Sequence, residues 1–207
     1  MMIFSGYDLL KGPYAHLVHD ERKVDALLWQ AKALADALSP AFDTPTGIPD
    51  NMINILNRTK LTTNGETGLA VAGSLVLEWT RLSDLMGDPR YAKLVQRAEA
   101  YLLQPQFAYG LSEPFPGMLG TTLNYTTGQF IDVMGGWNGG TDSFYEYLLK
   151  QWVYSPEHFD LYRHRWQMAA NSTWRYLTSS PSLRPELTFV AGYNGQELIY
   201  KAHHRKR

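Results

Sequence analysis

Residues 67–103, TGLAVAGSLVLEWTRLSDLMGDPRYAKLVQRAEAYLL, decide the fold. The spacing predicts a helix over 67–86 that stops at Gly87, a residue free to take the left-handed turn that ends helices. Asp88-Pro89 then reopens a helix that runs to Leu103, with Asp88 as N-cap and Pro89 at the first helical position. Two helices joined by so short a turn must lie antiparallel, as a hairpin. Working outward, residues 142–154 and 157–178 form a second hairpin, broken at Ser155-Pro156. Residues 20–38 form an earlier amphipathic helix, with Asp20 as cap and Val24, Leu27, Leu28, Ala31, Leu34 and Leu38 at helical spacing. It ends at Ser39-Pro40, and a long loop follows over 39–65, a length that in a compact domain is usually functional. Residues 104–141, rich in Gly and Thr, read as loops and a small β-ribbon, and 187–192 as an extended segment. The expected fold is mainly all-α: a toroid of helical hairpins with a small β-ribbon and long loops. A linear helical solenoid would have shorter, more uniform repeats.

Composition excludes several partners. The chain has 207 residues, with 19 Lys+Arg against 20 Asp+Glu, a net charge of −1. Such a balance gives no field for nucleic acid or an anionic membrane. The hydrophobic fraction of 44% fits one globular core. No run approaches the roughly 18 apolar residues of a membrane span. The absence of cysteine removes disulfides, thiolate zinc sites and a Cys nucleophile. The start, MMIFSGYD, has neither the basic region nor the apolar run of a signal peptide. Three Asn-X-Thr sequons, at Asn57, Asn124 and Asn171, hint at the secretory route. The aromatic content of 13% suits sugar binding and helical packing alike.

Carboxylates are the candidate chemistry. Glu78 falls within an apolar stripe of Val71, Leu75, Leu82 and Leu85. A carboxylate facing a core costs several kcal/mol unless paired or wetted. Glu78 therefore either lines a polar cavity or meets an Arg from another helix. Asp142 and Glu146 stand four apart on one helix face, with Asp142 at its N-terminal end, where the helix dipole favours an anion. The competing reading makes Asp142 or Thr141 a cap and pairs Glu146 with Lys150 on the solvent side. Glycoside hydrolysis needs two carboxyl groups flanking the bond, roughly 6.5–9.5 Å apart for inversion. Two carboxylates on one helix face serve better as one wall of a pocket than as both halves of that reaction. No phosphate loop, G-x-S-x-G elbow or H-E-x-x-H occurs. His16, His19, His203 and His204 read as surface residues, and residues 201–207 as a solvated basic tail.

From residues 5 to 195 the chain resembles the class I α-1,2-mannosidases, glycoside hydrolase family 47, and most of all their fungal members. The segments that carry the resemblance are SGYDLL at 5–10, TPTGIP at 44–49, GSLVLEWTRLSDLMGD at 73–88 and PFPGMLGT at 114–121. The most specific is GGWNGGTDSFYEYL at 135–148. The resemblance implies an (α/α)7 toroid, present here as a partial (α/α)7 toroid, that hydrolyses α-1,2-linked mannose of high-mannose N-glycans with inversion, depends on calcium and follows the secretory route. It matches Glu78 and Glu146 to acids of the mannose pocket and Asp142 to an acid of the chemistry. Members that preferentially remove one particular mannose carry Arg where this chain has Gly140, which implies broader trimming here. Family domains are more than twice this long. The family's general-acid Glu precedes the Ser5 position, where this chain has only MMIF. Its base Glu and its calcium-binding Thr follow the Gly195 position, after which residues 196–207 diverge into the basic tail. The expectation is one partial domain, inactive alone. The alternatives are a non-catalytic module that binds high-mannose glycan and, less well supported by the 104–141 motifs, an unrelated helical scaffold.

Overall fold

A computed structural model describes residues 2–60 and 64–199. The expected basic tail, residues 201–207, lies outside the described residues. The helices are α1 (Met2–Lys11), α2 (Glu21–Leu38), α3 (Leu69–Gly73), α4 (Val76–Met86), α5 (Arg90–Leu103), α6 (Asp142–Tyr154) and α7 (Asp160–Ser172). Among the described residues three hairpins dominate: α1 on α2, α4 on α5, and α6 on α7. They stack into a two-layered arc, in which α4 touches both α2 and α6 while α5 touches α7. The hairpin architecture expected from the sequence is borne out.

Local chemistry sets the helix ends. The Asp20 carboxylate accepts the Arg22 N–H at 3.1 Å and caps α2. Gly87, at φ 63°, ends α4. The Asp88 carboxylate accepts the Arg90 N–H at 3.0 Å, so the expected cap forms with the helix starting one residue later. The segment before residue 20, for which no element is expected above, contains α1. Two expectations need correction. The helix expected over 67–86 is two helices, α3 and α4. The Ser74 hydroxyl bonds back to the Ala70 carbonyl at 2.5 Å, competing with the helical ladder. The break leaves Val71 exposed and moves the buried face of α4 to Val76, Trp79, Thr80, Leu82 and Ser83. Finally, α7 begins at Asp160 rather than 157, and its continuation over Thr173–Leu177 is a π-helical turn.

The strands are short: β1 (Ile53–Asn54), β2 (Thr59–Lys60), β3 (Glu66–Gly68), β4 (Gln106–Phe107), β5 (Thr122–Asn124), β6 (Gln129–Phe130), β7 (Met134–Gly135), β8 (Thr178–Ser179), β9 (Phe189–Val190), β10 (Gly192–Asn194) and β11 (Glu197–Ile199). The ribbon expected within 104–141 is part of a sheet in the order β3-β5-β6-β4, and β7 joins the β10–β11 hairpin.

Aromatic packing fixes these loops on the helices. Trp79 meets Phe42 and Tyr91 edge-on, with ring centroids 4.8 and 6.0 Å away. The Leu119 peptide is held at both ends, its N–H by the Tyr145 hydroxyl at 2.9 Å and its carbonyl by the Tyr193 hydroxyl at 2.7 Å. Arg165 of α7, almost fully buried, pairs with Glu113, whose carboxylate also accepts the Gly117 N–H at 3.0 Å. The 114–121 segment is thereby pinned to α6, α7 and β10.

Candidate active site

The glycine-rich turn before α6 fixes where Asp142 starts the helix. Gly140 sits at φ 103°, a backbone that residues with a Cβ rarely adopt. Its carbonyl accepts the Ala70 N–H at 3.0 Å and joins the turn to the start of α3. Thr141 is fully buried, and its hydroxyl donates to the Gly136 carbonyl at 2.5 Å. That bond closes the glycine loop. Asp142 follows as the first residue of α6, half-buried, with Oδ1 accepting the Ser143 N–H at 2.9 Å. Free N–H groups and the dipole of the helix favour the carboxylate there.

Glu78 occupies the equivalent part of α4, its first turn. It is half-buried, and its Oε1 accepts the Tyr147 hydroxyl at 2.8 Å. The Glu78 carboxylate is thus held from a neighbouring helix by a phenol. Burial, reinforced by this bond to Glu78, pushes the Tyr147 phenol above its ordinary pKa, so Tyr147 stays protonated and acts as a donor. Glu146 is exposed and pairs with Lys150 at 3.0 Å, the solvent-side arrangement weighed from the sequence. The same Lys150 ammonium lies 5.0 Å above the Tyr147 ring. A continuous link therefore runs from Glu78 through Tyr147 and Lys150 to Glu146. The structure brings Glu78 and Glu146 into one polar network across α4 and α6, with Asp142 one turn before Glu146 on α6.

Tyr147 was not singled out from the sequence. The signal was present in its place one residue after Glu146 on an aromatic helix, but which way its hydroxyl points depends on how α4 and α6 pack. Beside the glycine loop a cleft of about 470 Å³ opens, lined by Thr121, Trp137, Asn138 and Tyr193 among others; the three acids are not among its lining residues. Among the described residues no group of three or more His, Cys, Asp or Glu could hold a metal ion.

Residues 2–206 match Glycosyl hydrolase family 47. The chain is 56% identical over 204 residues to the probable mannosyl-oligosaccharide alpha-1,2-mannosidase 1B of Neosartorya fischeri, covering 98% of this chain and 40% of that protein. It is 52% identical over 204 residues to the mannosyl-oligosaccharide alpha-1,2-mannosidase of Penicillium citrinum, covering 98% of this chain and 39% of that one. Its fold matches the alpha-1,2-mannosidase from Trichoderma reesei with a TM-score of 0.90 and 45% identity, over 95% of this chain and 40% of that one. The chain thus spans about 40% of the length of the relatives it matches. Among the described residues no helix is long and apolar enough to cross a membrane.

Proposed function

Because the chain belongs to Glycosyl hydrolase family 47, we propose that it carries the acidic wall of an α-1,2-mannosidase site, one that releases α-1,2-linked mannose from N-glycans with inversion. Asp142 is the carboxylate of the chemistry, set against the reacting sugar by the rigid glycine turn. Glu78 and Glu146 accept hydrogen bonds from sugar hydroxyls, and the Tyr147 and Lys150 donors hold them in place. The chain acts along the secretory route, a reading that its sequons support.

The observation that carries this reading is the 2.8 Å bond between Tyr147 and Glu78. It fixes an acid from one hairpin beside the acids of the next, which a solvated surface charge would not need. Inversion also requires a second carboxyl on the far side of the bond, roughly 6.5–9.5 Å away. Asp142 and Glu146 project from a single helix and reach the sugar from one side. The chain by itself accordingly binds the sugar without cleaving it.

Titrating the full chain with α-1,2-mannobiose and assaying free mannose tests both parts. We expect saturable binding, weakened at least several-fold by Glu78→Gln and Asp142→Asn, with no mannose released. Binding that is absent, or indifferent to both substitutions, overturns the site. Release of mannose that Asp142→Asn abolishes overturns the statement that the chain only binds.

A further inference from the structure

The three sequons differ sharply in their surroundings. Asn124 lies in β5, half-buried, with its carboxamide oxygen already accepting the N–H groups of Thr126 and Thr127 at 2.8 and 3.1 Å. Asn171 is exposed too, but it stands within the helix α7. The hydroxyl of its sequon partner Thr173 is committed on both sides: it donates to the Ala169 carbonyl at 2.8 Å and accepts from the Trp137 indole at 2.6 Å. Asn57 is unlike both. It stands in the β1–β2 hairpin loop, where Asn57, Arg58 and Thr59 are all exposed and the neighbouring Leu56 is 97% exposed. Arg58, at φ 56°, bends the chain so that Thr59 returns to Asn57. The Thr59 hydroxyl donates to Asn57 Oδ1 at 2.7 Å and the Thr59 N–H donates to the same oxygen at 3.2 Å. Both bonds fall on the oxygen, and the Asn57 amide nitrogen is left to solvent.

We propose that Asn57 is the N-glycosylation site of this chain and that Asn124 and Asn171 stay bare. The inference goes beyond the sugar site and rests on the secretory-route part of the preceding reading. The co-reactant is an oligosaccharide carried on a polyisoprenyl diphosphate. Asn57 Nδ2 bonds to the anomeric carbon of the first sugar as the bond from that carbon to the diphosphate oxygen breaks. The lipid diphosphate leaves with the electron pair, and Nδ2 gives up one proton to a base of the transferase. The Thr59 hydroxyl on Oδ1 draws electron density from the carboxamide and eases the loss of that proton. A bulky, solvated glycan then projects from the hairpin tip without displacing any packed group. At Asn124 the oxygen is held by backbone N–H groups instead, and the glycan would have to leave a half-buried side chain within the β3–β5 pair.

For the test, the full chain is secreted from a eukaryotic host behind a supplied leader, so that entry into the secretory lumen is given. Its peptides are mapped by mass spectrometry before and after treatment with a peptide-N-glycosidase. We expect one glycan, on Asn57, lost in Asn57→Gln and in Thr59→Ala and retained in Thr59→Ser. A secreted chain with Asn57 bare, or with Asn124 or Asn171 occupied, overturns the proposal. Mannobiose binding by Asn57→Gln, measured alongside, should equal that of the parent chain. Loss of sugar binding in every form therefore counts against the mannose site and leaves the glycan assignment standing.

Discussion

The Tyr147 hydroxyl donates to Glu78 at 2.8 Å across the α4–α6 boundary, so a phenol on one helix braces a carboxylate on the next. A hydrogen bond to a charged acceptor contributes about 1.5–3 kcal/mol, less where water competes. Tyr147→Phe keeps the ring under Lys150 and removes the hydroxyl that makes this bond. We expect it to lower stability by about 1 kcal/mol in urea denaturation. It should also weaken mannobiose binding, because Glu78 loses the donor that sets its Oε1. Unchanged affinity would show that Glu78 needs no such brace.

Glu99 of α5 is buried to 1% exposure, and neither of its carboxyl oxygens has a hydrogen-bond partner in the described residues. Burial pushes its pKa well above the ordinary 4.5, so the folded chain keeps it protonated. Below pH 4.5 both folded and unfolded forms hold the proton, and the stability associated with that difference is fully present. As the pH rises from there through the raised folded value, the unfolded chain ionises first and that stability is lost. Glu99→Leu removes the group. Melting temperatures followed from acid to neutral pH should show the variant gaining on the parent chain as the pH rises. A constant gap would mean that Glu99 ionises alike in both states.

Glu113 neutralises the guanidinium of Arg165, which is 6% exposed and whose Nε has no partner of its own in the described residues. Removing one member of a buried pair strands the other. Glu113→Ala should therefore cost about 3 kcal/mol by chemical denaturation. The double change Glu113→Ala, Arg165→Met should recover most of that loss. A double variant as unstable as the single one would place the effect in the Gly117 N–H bond instead.

Gly117 combines two constraints. Its φ is 85°, and a Cβ there would collide with the Ala169 backbone of α7. Backbone cannot yield as a flexible side chain can. Gly117→Ala should lower stability by about 2 kcal/mol or more, from left-handed strain together with the clash. Gly110→Ala makes a matched control, for it has a similar φ of 80° and no atom within 4 Å of the added carbon. It should show the strain alone.

The hairpins were legible in the sequence because their signals are local. Asp20, Gly87 and the Asp88-Pro89 pair act on neighbouring backbone, and helical spacing needs no knowledge of what the helix packs against. Asp142 was legible for the same reason, since a glycine-rich turn before a helix shows itself in a few consecutive residues. The break at Ser74 was missed because a single hydroxyl bonding back to Ala70 leaves no mark on apolar spacing. With the break Val71 became exposed, while Leu75 and Leu82 of the stripe still pack and Glu78 is left half-buried at their edge. What the sequence alone determined was the two main hairpins, the acids they carry and the local pairing of Glu146 with Lys150 that it offered. Tertiary structure alone decided that Glu78 meets Tyr147. It also decided which sequon stands clear of the core. Those outcomes depend on distances between segments up to 69 residues apart in the chain, and such distances exist only once the helices have packed.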